Sequence, residues 1–294
     1  MIDLLIPTVA QGLLWALMAL GVYVTYRVLD IADLTVEGSF PLGAAVAASL
    51  LSADYGPGTA LFAALLAGML AGVVTGLLHT KMKIPALLAG ILTMIALYSV
   101  NLRVMGKANI SLLGIDTTFK LAKAALGLTM PQTTLVVGCI VTLIVVALLY
   151  WFFGTEIGSA VRATGFNPQM IRAQGVDTDN TVILGLLLSN ALVAASGALV
   201  AQSNGFADVG MGTGTIVIGL ASVIIGEVLF GTRSFMNCLV SVALGSIVYR
   251  LVIAAVLAMG MPPNDLKLFT SILVALALAM PLIKEKLKGR KVVE

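Results

Sequence analysis

The sequence predicts an all-α fold: a polytopic transmembrane helical bundle of about nine spans, with the N-terminus outside and the C-terminus inside. Three observations predict it. Of 294 residues, 60% are hydrophobic and only 11% charged. Apolar runs of about 18 residues or more recur along the chain, the length a helix needs to cross a bilayer. One compact polar island, GSAVRATGFNPQMIRAQGVDTD at Gly158–Asp179, separates two long apolar runs and is dense in helix start and stop signals. No polar stretch exceeds roughly 30 residues, so residues 1–294 read as a single transmembrane domain.

The first expected span is Leu4–Tyr26; its leading MIDLLIP lacks Lys and Arg and makes a poor signal peptide. Gly38–Ala53 is short, rising about 24 Å against a hydrocarbon core of about 30 Å. It follows a polar stretch with Asp30, Asp33 and Glu37, so a broken or partly re-entrant helix is expected, with its unwound backbone buried in protein or facing water. Thr59–Thr80 carries Gly68, Gly72 and Gly76 on one face, which suits close helix packing and a dimer contact. Ile84–Val104 is followed by the longest external loop, Met105–Pro131, in which Thr118–Leu126 is expected as an amphipathic surface helix. That loop is either a solvated cap or a contact surface for an external partner. Thr133–Phe153 leads into the polar island, and Val182–Gln202 leaves it. The glycines of Gly205–Thr215 do not match a GxGxxG phosphate loop, and a flexible external turn is expected there. Thr213–Phe230, Phe235–Met259 and Leu268–Ile283 complete the nine spans.

Local chemistry specifies the island as helix, corner, helix. Gly165 is expected to interrupt the first helix. Asn167 is a good N-cap, and Pro168 falls at the first helical position, where its missing N–H costs nothing. Phe166 and Ile171 occupy the two positions of a hydrophobic staple. Arg172 lies in the last turn, Gly175 supplies the C′ residue, and Asp177 and Asp179 suit the N-terminus of the next span. An element so well specified at a membrane surface is expected to receive a partner.

With the island inside, alternation places Arg27, Lys81, Lys83, Arg162, Arg172, Arg233 and five basic residues of the tail inside, eleven in all. Only Arg103, Lys107, Lys120, Lys123 and Lys267 fall outside, which agrees with the positive-inside rule.

Few side chains carry reactive chemistry. Cys139 and Cys238 lie in apolar runs and read as packing residues. The single histidine, His79, has no partners for a metal or a general base. No GxxxxGK[ST], GxSxG or HExxH occurs, so neither an ATPase nor an enzyme is expected in this chain, which binds no cofactor of its own. Glu227 and Arg250 fall within spans, where a charge is expensive. Each is either a buried structural partner or part of a translocation path. Asn101, Ser189, Asn190 and Gln202 are polar positions in or beside spans, fit for the same path or for interhelical hydrogen bonding.

Four blocks bring a family into view: IADLTVEGSFPLGAAVAA (Ile31–Ala48), KIPALLAGILTM (Lys83–Met94), RATGFNPQMIRAQGV (Arg162–Val176) and GLASVIIGEVLFGTRS (Gly219–Ser234). Together they resemble the permease subunits of bacterial ATP-binding-cassette importers of the branched-chain amino acid and ribose type. Within that family the sequence looks most like a branch associated with aromatic amino acids such as tryptophan or tyrosine. Glu227 departs from the small residue common at its position in relatives, which puts its role in doubt.

The resemblance implies a bacterial inner-membrane permease that pairs with a second copy or a related subunit. It implies cytoplasmic ATP-binding subunits, which carry ATP and Mg, and an external substrate-binding protein; no nucleic acid is involved. The residues it places against the ATPase are Gly158, Arg162, Ala163, Gly165, Phe166, Asn167, Pro168, Met170, Arg172 and Gly175. An ion-coupled secondary transporter remains the main rival, with Arg250, Glu227 and the Asp30–Glu37 stretch leaving room for it. A channel or scaffold is third.

Overall fold

The computed structural model describes residues 2–260 and, beyond them, positions 265, 268–272, 275 and 279. Helix α1 (Ile2–Tyr23) passes into a π-helical turn, Val24–Val28, and a non-helical linker, 29–35, leads to α2 (Val36–Ser52). Next come α3 (Pro57–Thr80), α4 (Ala86–Met105), strand β1 (Asn109–Ser111), α5 (Thr118–Leu126) and α6 (Met130–Gly154). The polar island supplies α7 (Glu156–Phe166) and α8 (Pro168–Ala173). The chain continues as α9 (Thr178–Asn204), strand β2 (Phe206–Asp208), a 3-10 turn (Val209–Gly212), α10 (Thr215–Phe230) and α11 (Phe235–Ala258).

Seven described segments are long and apolar enough to cross a membrane; α2, at 17 residues, is shorter. That is a helical bundle of the expected class with a different count from the nine expected. The difference has two sources: α2 starts late, after the linker, and most of the expected span Leu268–Ile283 lies outside the described residues.

Helix α9 is the hub, with α1, α2 and α3 packed on it, while α10 and α11 pair and contact α1. Small residues make this possible. A Cβ at Gly68 or Gly72 would overlap the carbonyls of Asn190 or Leu186, and one at Gly43 of α2 would overlap the backbone of Ala194. The glycine stripe of α3 is thus used within the chain, against α9, rather than at a dimer contact. The outer helix α6 exposes apolar side chains such as Leu143, Leu148 and Trp151, as helices meeting hydrocarbon do.

Two ends can be told apart. At one, the strand end, β1 and β2 pair antiparallel (Ile110 opposite Ala207) beside α5. Helix α5 forms over the expected residues: Thr117 Oγ accepts the Lys120 N–H at its start, and Gly127 closes it at φ 66°. At the other, the corner end, α7 and α8 meet the turns after α1 and α10, and Asp179 at the start of α9 meets the turn after α3. The Gly205–Thr215 segment is no flexible turn. Its strand, its 3-10 turn and buried Val209 and Gly212 pack it against the first turns of α2. Both cysteines are free thiols.

Candidate functional site

The corner is built by its own sequence. Thr155 Oγ accepts the Gly158 N–H to start α7, and a Cβ at Gly158 would overlap the Phe152 carbonyl, so only glycine lets α6 turn so sharply into α7. Asn167 Oδ1 accepts the Met170 N–H at 3.0 Å, with Pro168 in the first turn of α8. Helix α8 ends in a Schellman closure: Val176 N–H bonds the Ile171 carbonyl, Gly175 N–H bonds the Arg172 carbonyl, and Gly175 adopts φ 87°.

Two expectations are corrected. Gly165 does not interrupt α7, which runs through it to Phe166; its missing side chain instead lets α7 touch the Val28 carbonyl at the end of the π-helical turn after α1. The Phe166–Ile171 staple is not formed. Ile171 is 5% exposed, within the fold, whereas Phe166 is 96% exposed and points away from it. A phenyl ring so exposed at the tip of a rigid corner is costly in water and has the chemistry of an interface anchor.

Around the tip lies an open cleft of about 1110 Å³, lined by Arg27, Asp30, Arg162, Phe166, Met170 and Arg233 among others. Arg162 stacks its guanidinium 4.5 Å over the Phe235 ring, which fixes a cation at the cleft wall. Ala163 also lines the cleft, and Met170 is 51% exposed beside Phe166. Arg172 turns back onto the fold. It donates to Thr178 Oγ at 2.8 Å and reaches Asp179 at 3.1 Å, and Lys81 and Lys83 approach the same carboxylate at 3.6 Å each. Thr164 and Thr181 share a hydrogen bond of 2.8 Å. The corner is therefore tied both to α9 and to the α3–α4 turn.

Asp179 is the common anchor, and its loss has a measurable consequence. Three partly exposed ion pairs sum to about 1 kcal/mol, so Asp179→Asn is expected to speed amide exchange over 168–176 about fivefold. Unchanged exchange would show that the pairs do not hold the corner.

The interior polar residues divide into separate settings. Ser189 Oγ donates to the Gly21 carbonyl at 2.7 Å, joining α9 to α1. Asn190, fully buried midway along α9, donates to Asp33 Oδ2 at 2.8 Å and accepts from Ser39 Oγ at 2.6 Å. Asp33 Oδ1 accepts the Thr35 N–H, so this carboxylate fastens the linker and α2 to the middle of α9. Gln202 accepts from Thr118 at the strand end. Glu227 pairs with Arg27 through Nε at 2.9 Å, and Arg250 stacks 4.1 Å over Trp15, so Glu227 and Arg250 do not meet. Asn101 is fully buried; its amide donates to the Gly38 carbonyl at 3.2 Å while Oδ1 has no hydrogen-bond partner.

Asp33 and Glu37, read in the sequence only as part of a polar stretch, and Arg27, read only as an inside cation, are each bonded to a distant element. The available signal was the acidic content of the stretch before α2. Among the described residues, no group of three or more His, Cys, Asp or Glu side chains is placed to hold a metal ion. His79 Nδ1 lies 2.8 Å from the Ile84 carbonyl, inside a turn.

The family described as branched-chain amino acid transport system, permease component, matches residues 4–279. A tyrosine transport system permease protein of Clostridioides difficile (strain R20291) is 41% identical over 275 residues, covering 94% of this chain and 90% of that protein. An uncharacterized protein of Rickettsia prowazekii (strain Madrid E) is 34% identical over 286 residues, covering 94% and 97%. No solved structure matches the chain.

Proposed function

The chain belongs to the permease-component family of branched-chain amino acid transport systems, and from that membership we propose that it forms the membrane path of an ATP-driven importer for an aromatic amino acid. The single observation that carries the coupling role is the corner at α7–α8. It is capped at both ends and strutted to α9 and the α3–α4 turn, and it presents Phe166 at 96% exposure beside a cleft with Arg162 and Met170. A rigid corner of that kind moves with the helices it joins, so a displacement imposed on it by an ATPase is delivered to α9 at the centre of the bundle. The tyrosine transport permease at 41% identity supports the substrate class.

In this reading the corner end faces the cytoplasm and the strand end faces outward. The described long helices, with the shorter α2 and α10, point alternately toward one end and the other. Arg27, Lys81, Lys83, Arg162, Arg172 and Arg233 gather at the corner end, against Arg103, Lys107, Lys120 and Lys123 at the other. Partner ATPase subunits carry ATP and Mg, a binding protein delivers substrate outside, and a second permease copy or relative completes the path in the bacterial inner membrane.

The test is reconstitution of the chain with its ATPase and binding protein in liposomes. Uptake of L-tyrosine is expected to require ATP on the corner side and loaded binding protein on the other. Uptake that follows an imposed proton or sodium gradient without ATP would replace this reading with an ion-coupled transporter.

A further inference from the structure

Helices α2 and α10 both begin inside the bundle rather than at its surface. The first turn of α2 meets α9 through the Ser39–Asn190 bond, and Asn190 is the thirteenth residue of a 27-residue helix. Helix α10 has only 16 residues and starts at Thr215, directly after a segment folded against the same turn of α2. Glu37 joins the two starts. It lies in the first turn of α2 and accepts the Gly214 N–H, at the N-cap of α10, at 3.0 Å. One carboxyl group thus lies at the starts of two helices.

Glu37 also lines a cavity of about 360 Å³ between α2, α4 and the 3-10 turn. That volume lies in the range of small-molecule sites. Asn101 lines the same cavity; its amide must donate to the Gly38 carbonyl, so the orphan atom is its acceptor oxygen. A fully buried amide oxygen without a partner is costly, and it lies in the wall of a cavity that can supply one. The rest of the wall joins the hydroxyl residues Ser99 and Thr213 to a larger apolar and aromatic part, Pro41, Met94, Ile95, Tyr98 and Val209, with Ile95 and Tyr98 exposed at the rim. A carboxyl group and an amide oxygen beside an apolar and aromatic surface form the complement of an ammonium group next to an apolar side chain.

We propose that this cavity is a substrate subsite in the permease itself, in which Glu37 and Asn101 Oδ1 receive the α-ammonium of an amino acid and Tyr98, Met94 and Pro41 receive its aromatic side chain. The proposal rests on the importer reading above and deepens it. A weak site of this kind would let the path select for the amine after the binding protein has released its cargo.

The test uses the full chain in lipid nanodiscs and saturation-transfer NMR with three probes at millimolar concentration: L-phenylalanine, phenethylamine and 3-phenylpropionate. The two amines are expected to bind and the carboxylate-only probe is not. Glu37→Gln is expected to weaken both amines about tenfold, the loss of one charge-assisted hydrogen bond. Ile95→Trp, which fills the rim and leaves both acceptors in place, is expected to remove binding. Equal binding of 3-phenylpropionate, unchanged binding in both variants, or no binding to the parent chain would each overturn the subsite. ATP-driven uptake of phenylalanine is measured in parallel on the reconstituted complex. Uptake without binding overturns the subsite and leaves the importer standing; a complex that moves no amino acid overturns the importer and the subsite's role with it.

Discussion

Replacing Phe166 by alanine is expected to lower ATP-driven uptake about 30-fold while leaving the chain folded and inserted. The figure is that of an aromatic hot spot of about 2 kcal/mol. Phe166 is 96% exposed and makes no staple with Ile171, so its truncation removes nothing from the fold. Everything it contributes is contributed to a partner. Uptake and ATP hydrolysis measured on the same vesicles, with thermal stability of the free chain alongside, separate the two roles. Gln169→Ala, at an exposed position in the first turn of α8, is the matched control and is expected to transport normally. A Phe166→Ala complex with intact coupled uptake would remove the corner as the docking point.

The second large effect falls in the bundle interior. Gly43→Val is expected to lower stability by about 3 kcal/mol or to prevent the folded chain from accumulating. Any Cβ there overlaps the backbone of Ala194, which belongs to the hub helix and has no room to retreat. Flexible side chains can repack around an intruding methyl group; a helix backbone cannot. Gly58→Ala, at a glycine with open space around it, is expected to leave the melting temperature in detergent unchanged. Equal melting temperatures for the two variants would mean that α2 and α9 are not in the close contact described.

What was legible in the sequence was local. Asn167, Pro168 and Gly175 act within one turn of themselves, so the caps and the Schellman closure of α8 could be read directly, as could α5 between Thr117 and Gly127. What was missed depends on distant partners. Gly165 read as a helix break because local propensity penalises glycine in a helix, yet it is kept helical by the Val28 backbone packed against it. The staple failed because Ile171 is buried in the fold and Phe166 is held outward. The strands β1 and β2 have three residues each and lie about a hundred positions apart, too short and too distant for any alternation to show. Glu37 and Arg27 find their partners 177 and 200 positions away. Glycine density made 205–215 look mobile, although one of those glycines, Gly212, is what lets it lie against α2.

The bond between Asp33 and Asn190 spans 157 positions of chain, and that separation sets an order of events at the ribosome. The linker and α2 are synthesised long before the helix that satisfies them. Until α9 arrives, Asp33 has neither its amide donor nor a reason to leave the aqueous face, and α2 at 17 residues is too short to hold a full crossing alone. The early product is therefore an N-terminal segment waiting at the interface, drawn inward only when the hub helix is delivered. Biogenesis of this subunit has a late, long-range closing step, and truncations that end before α9 should leave the stretch around Asp33 open to water-soluble labelling reagents.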